Sequence, residues 1–385
     1  MGKSMIWSVK AGRSEGMIYL DNAATSFIKP PSVYRAVSRA MLCCSNPGRG
    51  SYPAAVKASD IIYDCREKAA SFFHMPDPTH VVFTSNATHA LNIAVRSLAR
   101  PGSRVLVSGF EHNAVMRPLI AIGADIAVAG RTLFDPAALL HDFSEKITGV
   151  DLVVCTHVSN VFGYILPIEE IAKLCREKKV PLIIDASQSA GVFDIDMQSL
   201  GASFIAMPGH KALFGPSGTG LLLCAEDAEP LIYGGTGSNS ASPDMPEYLP
   251  ERLEAGTMNV PGIAGLLAGL EYVIVQGTDK IQAYENALLN ELMDELSEMP
   301  RLRLFAEKNR QQSGILSFCV EGIDSESVCQ ALGQRGIALR GGLHCAPLAH
   351  ESTGTLAEGT VRVSLSPFVD LSQIHRFCGV MRELF

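Results

Sequence analysis

No two of the ten cysteines are spaced as Cys-x-x-Cys, which argues against a zinc site and offers no disulfide scaffold. Basic character is missing too. The chain carries 32 Lys and Arg against 40 Asp and Glu, a net charge of −8, whereas a nucleic-acid binder normally shows a basic balance. No apolar run approaches the roughly 18 residues that would suggest a membrane span. The start, Met1-Gly2-Lys3-Ser4-Met5-Ile6-Trp7, has a Lys without a following apolar stretch, so no secretory signal is expected. Ile6 also stands where a myristoylation pattern wants Ser or Thr. Internal repeats and low-complexity segments are absent. A cytoplasmic protein with no metal, nucleic-acid or membrane partner is the expectation.

Hydrophobic residues make up 47% of the chain and charged residues 19%, the balance of a compact globular enzyme. At 385 residues it exceeds the about 250–300 at which a single core stops growing, so two domains are expected. Between residues 80 and 224 short apolar runs alternate with amphipathic stretches. Strands are expected at Val81-Val82-Phe83, Val105-Leu106-Val107, Leu152-Val153-Val154, Leu182-Ile183-Ile184, Phe204-Ile205-Ala206 and Gly220-Leu221-Leu222-Leu223, with helices such as Ala87–Leu98 and Ile168–Lys179 between them. That pattern indicates a mostly parallel α/β sheet covered on both faces. Ligands of such sheets bind beyond the carboxyl ends of the strands. The Gly/Ser/Pro-rich stretch from Gly234 to Pro250 reads as a loop near the site. Helices are expected at Gly262–Val275, Ile281–Glu298, Glu326–Arg335 and Leu371–Leu384, with strands at Gly314–Val320 and Thr360–Leu365, an α+β pattern that suits a smaller second domain. Cys155, Cys224 and Cys319 sit in apolar runs, where Cys behaves as a small buried hydrophobe. Cys43-Cys44 follow a helical pattern and read as structural.

Several groups with chemical potential fall at or just after the expected strand ends. Asp185 closes Leu182-Ile183-Ile184-Asp185, and Lys211 follows 26 residues later in Gly209-His210-Lys211. This arrangement suits pyridoxal phosphate (PLP). The Lys would hold the cofactor as a Schiff base, and the Asp would keep its pyridine nitrogen protonated, which makes the ring an electron sink. Thr84-Ser85-Asn86-Ala87-Thr88 joins a strand to a helix, as either an ordinary N-cap or a phosphate seat at the positive end of the helix dipole. His112, after the next strand, reads either as a structural His or as one stacked on a ring. Asn160 and Gln188 could donate to the cofactor's phenolic oxygen. Cys345 lies beside His344 in the Gly-rich run from Arg340 to Pro347, with the makings of an activated thiolate. Arg362, in an apolar strand, needs an anion, either an internal carboxylate or a substrate α-carboxylate.

Together these segments resemble the fold-type I, class V aminotransferase family, and within it the cysteine desulfurase/selenocysteine lyase branch. The resemblance runs from Tyr19-Leu20-Asp21-Asn22-Ala23-Ala24-Thr25 to beyond Arg362. It includes His157-Val158-Ser159-Asn160, Asp185-Ala186-Ser187-Gln188, Gly209-His210-Lys211 and Glu254-Ala255-Gly256-Thr257. It implies a large PLP-binding domain, residues 22–260, with a mostly parallel seven-stranded sheet. Residues 1–21 and 261–385 would form a small α+β domain. By the same resemblance Lys211 is the Schiff-base lysine, Asp185 the pyridine partner and His112 the stacking group. Asn160 and Gln188 would position the ring, Asn160 also meeting substrate. Ala87, Thr88 and His210 would hold the phosphate, and Thr257 would reach the phosphate of a neighbouring subunit in a homodimer. Arg362 would grip the substrate carboxylate and Arg340 assist near the thiol. Cys345 would take the sulfur of L-cysteine as a persulfide, awaiting a sulfur-acceptor protein or thiol. The short His-Cys-Ala-Pro form is like that of group II desulfurases, although Leu343, Pro208 and Ala87 stand where many relatives carry His, Ser and Thr. A selenocysteine lyase acting on L-selenocysteine, another class V aminotransferase or lyase, and a non-catalytic PLP-fold scaffold are the alternatives.

Overall fold

The structure, a computed structural model, describes residues 16–48, 50–308 and 311–385. The expectations for Met1–Trp7, and for the first fifteen residues of the 1–21 segment, lie outside the described residues. The strands in chain order are β1 (Ile18–Tyr19), β2 (Val81–Thr84), β3 (Arg104–Ser108), β4 (Asp125–Ala129), β5 (Leu152–Thr156), β6 (Leu182–Asp185), β7 (Phe204–Pro208), β8 (Gly220–Cys224), β9 (Leu302–Phe305), β10 (Ile315–Val320), β11 (Ile337–Ala338) and β12 (Val361–Ser364). The helices are α1 (Pro31–Cys43), α2 (Pro53–Phe72), α3 (Ala87–Leu98), α4 (Asn113–Ala121), α5 (Pro136–Lys146), α6 (Ile168–Lys178), α7 (Met197–Leu200), α8 (Val260–Gln276), α9 (Thr278–Ser297), α10 (Ser325–Gln334), α11 (Pro347–Thr353) and α12 (Leu371–Leu384).

Seven strands form one sheet in the order β2-β8-β7-β6-β5-β3-β4. Only β8 runs against its neighbours, pairing antiparallel with both β7 and β2. Successive side chains of a strand face opposite sides, so each apolar run feeds two cores at once. Val153, Ile184 and Ile205 enter one layer, while Val154, Ile183 and Phe204 enter the other. A strand buried on both faces needs a near-continuous apolar run, and β5 to β8 are buried at every position, with polar Thr156 and Asp185 only at strand ends. Helix α8 adds Ile263, Leu266 and Leu270 to the first layer. Its packing therefore ties it to the large sheet, beyond the division expected at residue 260.

The remaining C-terminal elements build a three-stranded antiparallel sheet, β12-β10-β9, whose core combines Phe318, Val363, Leu292 of α9 and Phe377 of α12. Strand β1 joins this part of the molecule by parallel pairing with β11. Among the described residues no single helix is long and apolar enough to cross a membrane. Two cysteine expectations are corrected. Cys43 ends α1 exposed to solvent, and Cys319 is only half-buried, its thiol close to the Arg303 guanidinium instead of in the core.

One buried ion pair lies where α2 meets β2. Arg66 of α2 donates from Nη1 and Nη2 to Oε1 and Oε2 of Glu254 at 2.9 and 2.8 Å, and both side chains are 8% exposed. Glu254 also accepts from the Phe83 N–H at 2.7 Å. Removing one partner of such a pair leaves an uncompensated buried charge, so Glu254→Ala is expected to cost about 3–5 kcal/mol. Urea unfolding of the variant checks this, and a midpoint equal to wild type would show that Arg66 finds another acceptor.

Candidate active site

The tips of β2, β3, β5, β6 and β7 open into one cleft with about 210 Å³ of free volume. Every candidate residue but one lines it: Ala87, Thr88, His112, Asn160, Asp185, Gln188, His210, Lys211, Arg340, Cys345 and Arg362. Thr257 is the exception. It lies in a separate cleft with Thr236, Ser238 and Glu254. The loop from Gly234 to Pro250 contributes to that second cleft, beside Thr257.

Lys211 is placed by a turn that tolerates no side chain before it. The Gly209 N–H donates to the Thr219 carbonyl at 2.8 Å, and its own carbonyl accepts from Gly215 at 2.7 Å. A Cβ at Gly209 would meet Thr219 Oγ1 at 2.3 Å. The turn delivers Lys211 into the interior, where burial pulls its ammonium from 10.5 down to about 8, with Asp185 opposing that shift. Asp185 is 2% exposed, and its Oδ1 accepts from the Ser187 N–H at 2.9 Å.

The Lys211 shift carries a stability consequence for the cofactor-free protein. Folding lowers the affinity of this amine for its proton, so the unfolded chain binds more protons between pH about 8 and 10.5. The Lys211 contribution to stability therefore rises with pH across that window and is lost as pH falls through about 8. The full swing is on the order of 3 kcal/mol. Urea midpoints of cofactor-free wild type and Lys211→Met, compared across the window, are expected to show wild type gaining on the variant as pH rises. A constant difference would contradict it.

His112 is the N-cap of α4, its Nδ1 accepting from the Ala114 N–H at 3.0 Å. The proton of the neutral ring therefore sits on Nε2. Burial holds its pKa down at about 4, against the opposing pull of Asp185, so the ring is neutral at pH 7. At the start of α3 the Asn86 side chain accepts from the His89 N–H at 2.9 Å. The Ala87 and Thr88 N–H groups have no acceptor among the described residues, and orphan donors at a helix start suit an anion. The cap and the phosphate seat thus coexist in one turn. His210 lines the same cleft, with Nδ1 3.0 Å from Thr25 Oγ1, and burial lowers its pKa to about 4.

Other side chains are already engaged within the chain. Arg362, 2% exposed, donates from Nη2 to Asp21 Oδ1 at 2.7 Å and from Nη1 to the Asn160 carbonyl at 2.9 Å. The internal carboxylate weighed for it exists, while its Nε has no partner among the described residues. Asn160 Nδ2 donates to the His344 carbonyl at 2.8 Å, and Gln188 Nε2 to the Ala23 carbonyl at 3.1 Å. Asp21 is a functional residue that the sequence alone does not single out. Its only signal was an acidic residue beside an apolar strand, with a partner 341 residues away.

Cys345 is exposed and sits in the left-handed region at φ 57°, directly after His344 at φ 50°. Such a conformation is costly for non-glycine residues and persists where surrounding contacts fix it. Here the Asn113 N–H, next to His112, donates to the Cys345 carbonyl at 2.7 Å. The twist also corrects the expectation that the neighbouring His activates the thiol. His344 points inward, its Nε2 3.0 Å from the Thr360 carbonyl, and makes no hydrogen bond to the Cys345 thiol among the described residues. Burial drives its pKa to about 2, so it offers no imidazolium. The basic side chains that share the cleft with Cys345 are Arg340, Arg362 and Lys211.

The family model for aminotransferase class-V matches residues 18–377. A probable cysteine desulfurase from Methanothermobacter thermautotrophicus is 32% identical over 386 residues, covering 95% of this chain and 94% of that protein. Among solved structures, the apo cysteine desulfurase from Thermococcus onnurineus is similar at a TM-score of 0.88 and 31% identity, over 96% of this chain and 94% of that one. The S-sulfonic acid form of the cysteine desulfurase CsdA from Escherichia coli gives 0.85 and 26%, with coverage of 96% and 94%. Likeness of this extent in both sequence and architecture decides the matter: the chain is a fold-type I protein and belongs to the class V aminotransferase family.

Proposed function

We propose that this chain is a PLP-dependent cysteine desulfurase, converting L-cysteine to L-alanine and holding the sulfur as a persulfide on Cys345. The observation that carries the reading is a single cleft lined by Lys211, by buried Asp185, by two arginines and by an exposed cysteine. The residues suit the cofactor. The Ala87 and Thr88 amides and His210 would take its phosphate, His112 would lie against the ring, and Asp185 would face the ring nitrogen. When bound, PLP supplies the electron sink that stabilises charge at the substrate's α-carbon.

The chain's own groups would do the rest. Lining the cleft, Lys211, Arg340 and Arg362 outnumber the one carboxylate, Asp185, an excess of positive charge suited to a phosphate and a substrate carboxylate. Lys211 Nζ, with a pKa near 8, can take up and return a proton close to neutral pH. The Cys345 thiolate forms an S–S bond to the substrate sulfur as the substrate's carbon–sulfur bond breaks. The bonding pair stays with carbon, which takes a proton and leaves as alanine. Exposure of Cys345 leaves the persulfide open to a thiol or a sulfur-acceptor protein. Thr257, outside the cleft of its own chain, supports a homodimer in which it serves the partner's phosphate.

Alanine and sulfide production from L-cysteine by the PLP-loaded protein, with and without a reducing thiol, tests the reading. Equal amounts of both, rising with thiol, are expected. A yellow protein forming pyruvate or another keto acid in place of alanine would transfer the reading to another class V reaction.

A further inference from the structure

Behind Lys211 lies a second, narrower cavity of about 40 Å³, lined by Lys211, Gln188 and Ser187 on the large-domain side and by Glu285, Ser313, Gly314 and Ser366 on the other. Lys211 and Glu285 are its only acidic or basic side chains among the described residues. Glu285 comes from α9 and is 6% exposed. No hydrogen bond or ion pair reaches its carboxyl among the described residues. The carboxyl packs so closely over Gly314 that a Cβ there would meet its Oε2 at 2.8 Å. The hydroxyl of Ser313 is likewise buried without a partner. Buried polar groups are ordinarily satisfied by protein or by water. A polar cavity of this volume has room for about two or three waters.

We propose that Glu285 is a proton store for Lys211, the two connected through water in this cavity and the Ser313 hydroxyl. The proposal rests on the desulfurase reading for the step it serves. When Lys211 Nζ has given up its proton, the Glu285 carboxyl passes a proton to the adjoining water, which passes one to Nζ. Glu285 is left as carboxylate, and the reverse transfer restores both groups without net change. The two ends are matched in acidity, since burial raises the carboxyl from 4.5 to about 8 and lowers the amine from 10.5 to about 8. Charges packed nearby are otherwise committed. On α12, His375 and Arg382 pair with Glu291 and Glu295 further along α9, and Arg303 of β9 pairs with Glu358. The Lys29 amine is engaged by Ser26, a residue of the cavity wall, donating to its Oγ at 2.8 Å. Glu285 acts only through Lys211, as a positioning residue for a proton.

The test uses Glu285→Gln, which keeps the shape and loses the exchangeable carboxyl proton, with Glu285→Asp as the conservative partner. In cofactor-free wild type, infrared difference spectra across neutral pH are expected to show a protonated buried carboxyl that titrates near 8. Glu285→Gln is expected to lack that band. In PLP-loaded protein, kcat for alanine formation is expected to fall about tenfold in Glu285→Gln with KM within twofold. The fall should grow as pH rises from 6 towards 8 and shrink above 8, where Glu285 itself has lost its proton, and Glu285→Asp should recover part of it. Absence of the infrared band in wild type overturns the proposal, as does an unchanged kcat–pH profile in Glu285→Gln. If wild type itself forms no alanine, the desulfurase reading fails, and the infrared titration alone then decides whether Glu285 stores a proton.

Discussion

Lys211→Ala is expected to reduce alanine formation from L-cysteine by on the order of 10⁴-fold, the upper range for loss of a positioned acid–base group. Lys211 lines the cleft, half-buried. No other lysine lines that cleft among the described residues, so nothing nearby replaces its amine. Lys211→Arg is expected to do no better, because a guanidinium stays protonated and cannot pass its proton on. Alanine measured by amino-acid analysis, together with the absorbance of protein mixed with PLP, checks both variants. Turnover within tenfold of wild type would remove Lys211 from the reaction.

Cys345→Ala is expected to lower alanine and sulfide release from L-cysteine by about 10²-fold, equivalent to about 2.7 kcal/mol of barrier. The thiolate supplies the acceptor for a sulfur that is a poor leaving group, and no other cysteine lines the cleft among the described residues. KM is expected to change little, since Arg340 and Arg362 are untouched. Activity on L-selenocysteine is expected to survive within a few-fold, because selenium leaves more readily. If the variant keeps full activity on L-cysteine, the persulfide mechanism fails. Wild type acting on selenocysteine alone would identify the chain as a selenocysteine lyase.

The sheet was legible because its strands are buried on both faces, and six apolar runs from Val81 to Leu223 mark six strands. The seventh, β4, escaped. It is an edge strand, Asp125-Ile126-Ala127-Val128-Ala129, as long as β3 but mostly half-exposed, and two of its four apolar residues are alanines. Helix α2 escaped for another reason. Its buried face consists largely of Ala55, Ala58, Ala69 and Ala70 with Arg66, side chains too small or too polar to show a 3.6-residue period. Within the cleft, Lys211, Asp185 and Cys345 were readable from their local settings. The true direction of His344 was not, because a left-handed backbone at that residue turns an adjacent pair apart. Glu285 reads in sequence as one more helix-surface acid in Tyr284-Glu285-Asn286, and only packing against Gly314 buries it.

The pairing of Asp21 with Arg362 joins residues 341 positions apart, and the Asn22 side chain and Ala23 N–H bond to Ser364 beside it. The ribosome makes the second of these segments long after the first. The large sheet, complete by Cys224, can form on the nascent chain while Asp21 still lacks its partner. The substrate-facing wall waits for the last strand to clear the exit tunnel. The groups expected to hold the cofactor, from Ala87 to Lys211, are thus in place before the wall built by Arg340, Cys345 and Arg362 closes the cleft.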